Sequence, residues 1–172
     1  MMDDTQQKQL EGMMKRPIPK KRIGVIRLQM VREGCLYGMK RFSQPWEAVE
    51  LVRPLLDMAD REMVAVMSLS TKLEPLALEI AAVGGINVGG VDVRHIFKHS
   101  LLNNAAYVIC FHNHPSGDPE PSLEDRLLVK RIEDSGRLLG IPLIDHIIVG
   151  EVGFYSFLQN GLIHGTEPDS AA

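Results

Sequence analysis

"AAYVICFHNHPSGDPEPSLEDRLLVKRIEDSGRLLGIPLIDHIIVG" occupies residues 105–150. Its first seven residues, "AAYVICF", are a nearly continuous apolar run, the pattern of a strand covered on both faces. A polar loop with prolines and a glycine follows, then a helical stretch from about Leu123 to Leu139. Gly140-Ile141-Pro142 stops that helix, and "LIDHIIVG" reads as a second buried strand. Strand, helix and strand in this order predict a crossover unit in an α/β sheet.

Open α/β sheets place their ligands beyond the carboxyl ends of strands, and "FHNHPSGDPEPSLED" (111–125) falls there. If the strand persists to His114, His112 and His114 leave the same face, because side chains alternate along a strand. That is metal-ligand geometry. Asp125 lies eleven residues after His114, one turn into the helix, and can face back toward the loop as a third ligand. A capping box competes for it. Ser122-x-x-Asp125 before an apolar-periodic helix makes Ser122 the N-cap and engages Asp125 in the first turn. The two readings agree on Ser122 and compete for the Asp125 carboxylate.

Two nitrogens and one carboxylate oxygen leave a coordination position open. Structural zinc is closed by four protein ligands, whereas catalytic zinc keeps that position for water. Such an ion lowers the pKa of water toward ~7 and polarises a carbonyl. Hydrolysis also needs a carboxylate to carry the water proton to the leaving amine and a donor for the tetrahedral oxyanion. Glu62, which begins the apolar run "EMVAVMSL", is the candidate base, and Ser122 the candidate donor.

Outward from this unit, "MVAVMSL" (63–69) and "PLALEIAAV" (75–83) read as strands joined by the turn "STKLE". "VDVRHIFKHSLLNN" (91–104) is an amphipathic helix with Val93, Ile96, Phe97, Ser100 and Leu101 on one side. Ser43 can cap a helix through "QPWEAVELVRPLLDMA", with Trp46, Val49, Val52 and Leu56 on its apolar face. Pro54 predicts a kink or break near Arg53. "GGINVGG" (84–90) lacks the spacing of a phosphate loop. "GFYSF" suits a last short strand. "RIGVIRLQMVRE" (22–33) looks like a strand, with "GCLYGMKRF" as a hairpin partner. Residues 1–22, broken by Pro17 and Pro19, read as a flexible basic arm, and 166–172 as a tail.

Composition narrows the class. The 172 residues are 45% hydrophobic and 24% charged, which suits one soluble globular domain. No apolar run approaches the ~18 residues of a membrane span, and the N-terminus lacks a signal peptide's apolar core. A cytoplasmic protein is expected. Cys35 and Cys110 have no metal-site spacing, so any metal must rest on histidine and carboxylate. Residues 1–22 hold six Lys/Arg against three Asp/Glu, and the remainder 13 against 19. "KRPIPKKR" (15–22) could touch nucleic-acid phosphates, but the acidic body argues against a large nucleic-acid footprint. His95 and His99 have zincin spacing, yet "HIFKH" has Ile where that motif needs Glu. His146 reads as a packed strand residue, the alternative being a supporting role to the site together with Asp145, which no spacing favours.

"HNHPSGDPEPSLED" fits His-x-His-x10-Asp, with Ser three residues before the Asp and Pro after the second His. It resembles the JAMM (MPN+) zinc metalloproteases. The text from Asn103 to Gly150 is similar to the RadC branch of JAB-domain proteins, and the resemblance runs from about residue 44 to 165. It implies a single JAB/MPN domain over 44–165, following a strand/hairpin extension at 23–43. The implied fold is a mixed β-sheet flanked by helices, similar to cytidine deaminases. The implied site is Zn2+ on His112, His114 and Asp125, with Glu62 acting on the zinc-bound water and Ser122 on the oxyanion. The implied reaction is hydrolysis of peptide or isopeptide bonds in a protein or peptide substrate. The alternative is a non-catalytic JAB module that binds a protein or DNA partner. Two departures stand out. Longer RadC proteins carry an N-terminal helix-hairpin-helix DNA-binding module where this chain has the short arm. RadC-like sequences usually read "VHPREVFK" where this chain has "VDVRHIFK", which removes a His-Pro and adds His95.

Overall fold

Successive side chains of the central strands point to opposite faces, nearly all of them buried, and sort the core into two layers. The computed structural model describes residues 4–15, 26–36, 41–57, 59–84 and 91–164. They form α1 (Asp4–Met14), α2 (Pro45–Leu56), β1 (Met63–Leu69), β2 (Pro75–Val83), α3 (Val93–Leu102), β3 (Tyr107–Asn113), α4 (Leu123–Leu139), β4 (Leu143–Gly150) and β5 (Gly153–Ser156). The strands make one mixed sheet in the order β2-β1-β3-β4-β5. Only β3 and β4 run parallel, joined through α4 as the expected crossover; the other neighbours are antiparallel.

On one face, Val64, Val66, Val108, Cys110 and Ile148 pack with Ile96 and Phe97 of α3 and Leu128, Val129 and Ile132 of α4. On the other, Ala65, Met67, Leu69, Ile109, Phe111, Ile147 and Val149 pack with Ala48, Val49, Val52 and Leu56 of α2. Covering both faces is what makes these strands read as unbroken apolar runs. No helix among the described residues is long and apolar enough to cross a membrane.

The chain divides into two units, Met1–Arg32 and Glu33–Ala172. Several local expectations change. The flexible arm expected over 1–22 contains α1, eleven residues rich in the helix formers Gln, Lys, Leu, Glu and Met. The strand expected over 22–33 is not formed in its described part. Residues 26–36 take no regular structure and are exposed, so this run gains no sheet neighbour to hold it. Residues 22–25 and 37–40, and with them part of the expected hairpin, lie outside the described residues, as do 85–90 and 165–172.

The expected break near Arg53 is absent, and α2 runs on to Leu56. Pro54 sits in the last turn, where few hydrogen bonds remain to be lost. Arg53 also ties the helix down: its Nη1 donates to the Gly150 carbonyl at 3.0 Å and its Nη2 to Gly153 at 3.1 Å. The N-cap is Gln44, not Ser43. Glu47 turns back to accept from the backbone N–H of both residues. Trp46, expected on the buried face, is exposed, as is Leu101 on α3.

Gly136 shows how closely α4 seats on the sheet. A Cβ there would lie 2.7 Å from the Ile141 carbonyl oxygen and 3.1 Å from Phe97 Cζ. Gly to Ala inside a helix ordinarily gains about 0.5–1 kcal/mol, but a backbone oxygen cannot give way cheaply. Gly136→Ala is expected to destabilise the protein by about 1–3 kcal/mol, the overpacking range, read as a lower urea midpoint. A raised midpoint would show that α4 has room to shift.

Candidate metal centre

Strand directions bring the site together. His112 is the penultimate residue of β3, so it lies at that strand's carboxyl end. The crossover then delivers the N-terminus of α4, with Asp125 in its first turn, to the same end. β1 runs antiparallel to β3 with Val64 opposite His112. Glu62, two residues before Val64, therefore starts at the same edge.

His112 Nε2 lies 3.0 Å from His114 Nε2 and 3.2 Å from Asp125 Oδ1, and His114 Nε2 lies 3.5 Å from Asp125 Oδ2. Tetrahedral zinc with bonds of about 2.0–2.1 Å separates its ligand atoms by about 3.4 Å. The three side chains are thus spaced to share one ion. Among the described residues, this group is the cluster of His, Cys, Asp or Glu that could hold a metal.

The outward nitrogens fit the same role. His114 Nδ1 lies 2.7 Å from the Asp118 carbonyl oxygen, which can only accept. The proton of neutral His114 is therefore on Nδ1, and its Nε2 lone pair faces the cluster. His112 Nδ1 lies 2.7 Å from His146 Nε2.

Asp125 makes the cap with one oxygen and faces the histidines with both. Its Oδ2 accepts from the Ser122 N–H at 2.8 Å and the Ser122 hydroxyl at 2.6 Å, while Ser122 Oγ accepts from the Asp125 N–H at 3.1 Å. Both halves of the capping box form. Oδ1 is left toward His112. The Ser122 hydroxyl proton is engaged with Asp125.

Electrostatics keep a negative charge in the set. Burial pushes the Asp125 carboxyl up, but its contacts with His112, His114 and Ser122 outweigh that and hold it well below the usual carboxylate range. The helix N-terminus also favours a negative side chain there. Burial pushes the His112 imidazole below its ordinary value despite the pull of Asp125. His114, less buried, is raised by its contact with Asp125. The charge of Glu62 raises both imidazoles, which puts its carboxylate within electrostatic reach of the cluster.

Three features escape a reading of the sequence. Asn113, between the two histidines, points to the other face, since neighbours in a strand alternate. Its Oδ1 accepts from the Met63 N–H at 2.7 Å and its Nδ2 donates to the Arg61 carbonyl at 3.1 Å. It therefore grips the backbone on both sides of Glu62. The 114–119 loop closes over the end of β4, where a Cβ on Gly150 would lie 2.5 Å from the Gly117 carbonyl oxygen. The third feature is the contact of His146 with His112. Asp145 does not join it, because its carboxylate accepts from Ser156 Oγ and the Leu158 N–H.

His95 and His99 do not form a pair. His95 is exposed, whereas His99 is buried. His99 Nε2 lies 2.8 Å from Ser68 Oγ and its Nδ1 2.9 Å from Glu79 Oε2, which pins α3 to β1 and β2.

A family model described as RadC-like JAB domain matches residues 42–162. Among curated proteins, the chain is 42% identical over 117 residues to a UPF0758 protein of Listeria monocytogenes, covering 68% of this chain and 52% of that one. It is 36% identical over 124 residues to a UPF0758 protein of Methanosarcina mazei, covering 72% and 54%. With a UPF0758 protein of Desulforamulus reducens it shares 35% over 153 residues, covering 83% and 67%. The chain spans about half the length of the Listeria and Methanosarcina relatives. With 42–162 matched and the mixed sheet in place, the chain belongs to the RadC-like JAB domain family.

Proposed function

We propose that this chain is a zinc-dependent hydrolase of peptide or isopeptide bonds in a protein or peptide substrate. The observation that carries the reading is the spacing of His112 Nε2, His114 Nε2 and the Asp125 carboxylate at 3.0–3.5 Å. Bound there, zinc supplies a Lewis acid and brings the pKa of a water toward ~7.

The chain's own residues supply the rest. Asp125 contributes the negative charge that two neutral imidazoles lack. Glu62, fixed by the Asn113 grip on residues 61 and 63, takes the proton of the attacking water and passes it to the leaving amine. Ser122 first orients Asp125. As oxyanion donor, its O–H turns from Asp125 Oδ2 to the developing negative charge, where one such donor is worth about 10²–10³-fold in rate.

A cleavage screen of peptides and isopeptide-linked pairs tests this reading. Zinc-loaded protein should cleave a subset, lose activity to a chelator and regain it with zinc. Zinc-loaded protein that cleaves no member of the screen but binds DNA in a salt-dependent manner would instead favour a non-catalytic module.

A further inference from the structure

His146 is used by nothing described so far, yet it touches the centre. It lies in the middle of β4, opposite Cys110 of β3, and is fully buried. Its Nε2 is 2.7 Å from His112 Nδ1. Its Nδ1 is buried without a hydrogen-bond partner among the described residues. The edge of the ring meets Phe157, with centroids 5.4 Å apart at 80°. A buried polar atom with no partner costs free energy, and packing alone would be served by an apolar residue.

The contact has a definite chemical reading. A charged imidazolium here would bury an N–H donor and a full charge with nothing to receive them, so His146 is neutral. Only one proton can lie between His112 Nδ1 and His146 Nε2. If His146 supplies it, the proton of neutral His112 sits on Nε2 and blocks the atom that faces His114 and Asp125. If His112 supplies it, His112 Nε2 presents a lone pair to the cluster, and the His146 proton moves to the orphaned Nδ1. Only the second arrangement permits coordination. A metal-bound histidine needs an acceptor for its other N–H, and that acceptor fixes both tautomer and ring orientation.

Resting on the zinc reading above, we propose that His146 is a positioning residue for the metal centre. Its Nε2 accepts the Nδ1–H of His112 and so holds the His112 Nε2 lone pair toward the ion. An imidazole serves here in place of the carboxylate or carbonyl that receives such a proton for His114, where the acceptor is the Asp118 backbone. The orphaned Nδ1 of His146 is the cost of that arrangement.

The test compares two replacements by metal affinity, measured as competition for Zn2+ with a chromophoric chelator, and by the ligand-field spectrum of Co2+-loaded protein. His146→Phe keeps the ring volume and removes the acceptor. His146→Gln retains an acceptor oxygen. Affinity should fall by about 10–100-fold in His146→Phe, the usual effect of losing such a partner, and the Co2+ bands should shift. His146→Gln should restore most of both. If His146→Phe fails to fold, His146→Leu takes its place, with folding checked by the urea midpoint. Equal affinity losses in the Gln and apolar variants would show that His146 only fills space. Unchanged affinity in the apolar variant would show that it does not act on the metal at all. Native protein that binds no zinc would overturn the metal centre itself, a result distinct from either.

Discussion

Glu62→Gln is expected to keep its zinc and lose hydrolysis by about 10²–10⁴-fold, the usual contribution of a positioned general acid–base. Gln matches Glu in shape and hydrogen-bonding reach but cannot hold the proton that must travel from water to the leaving amine. Glu62 is not one of the three clustered side chains that could hold an ion, so removing its charge should leave metal content near the native value. The backbone on both sides of it is held by Asn113, so the variant should fold. Unchanged turnover with bound zinc would remove Glu62 from the chemistry. Loss of zinc together with activity would make it a ligand.

Asp125→Ala should abolish stoichiometric zinc binding. The substitution removes the only anionic side chain of the three, and it also removes the acceptor for the Ser122 N–H and hydroxyl. A lost helix cap costs about 1 kcal/mol, so the folded protein should survive with a modestly lower unfolding midpoint. Asp125→Asn separates the two roles. It retains an oxygen for the Ser122 N–H but not the negative charge. Its helix should therefore lose less than that of Asp125→Ala, while its zinc content should still fall sharply. Native zinc content in Asp125→Asn would mean that capping is the whole purpose of this side chain.

What the sequence disclosed depended on how local the cause is. The crossover of β3, α4 and β4 was legible because apolar runs, a Ser122 cap and the Gly140 stop are encoded within 46 consecutive residues. The His112, His114 and Asp125 cluster was legible for the same reason. The helix at Asp4–Met14 was hidden by its prolines downstream, although most of its residues are good helix formers. At Pro54, a local rule gave way to position, since a proline in a last turn breaks little.

Longer-range contacts left no such trace. The Asn113 grip on residues 61 and 63 crosses about 50 positions and exists only because β1 and β3 pair in one register. The His146–His112 contact needs the parallel register of β3 and β4. Nor could spacing alone show that Asp125 serves the cap and faces the cluster at once.

The most direct test of the metal centre is the metal content of the native full chain, purified without chelators and measured beside Asp125→Asn. About one zinc per native chain and far less in the variant is the expected result. Native protein that is folded, free of metal and unable to take up added zinc would contradict it.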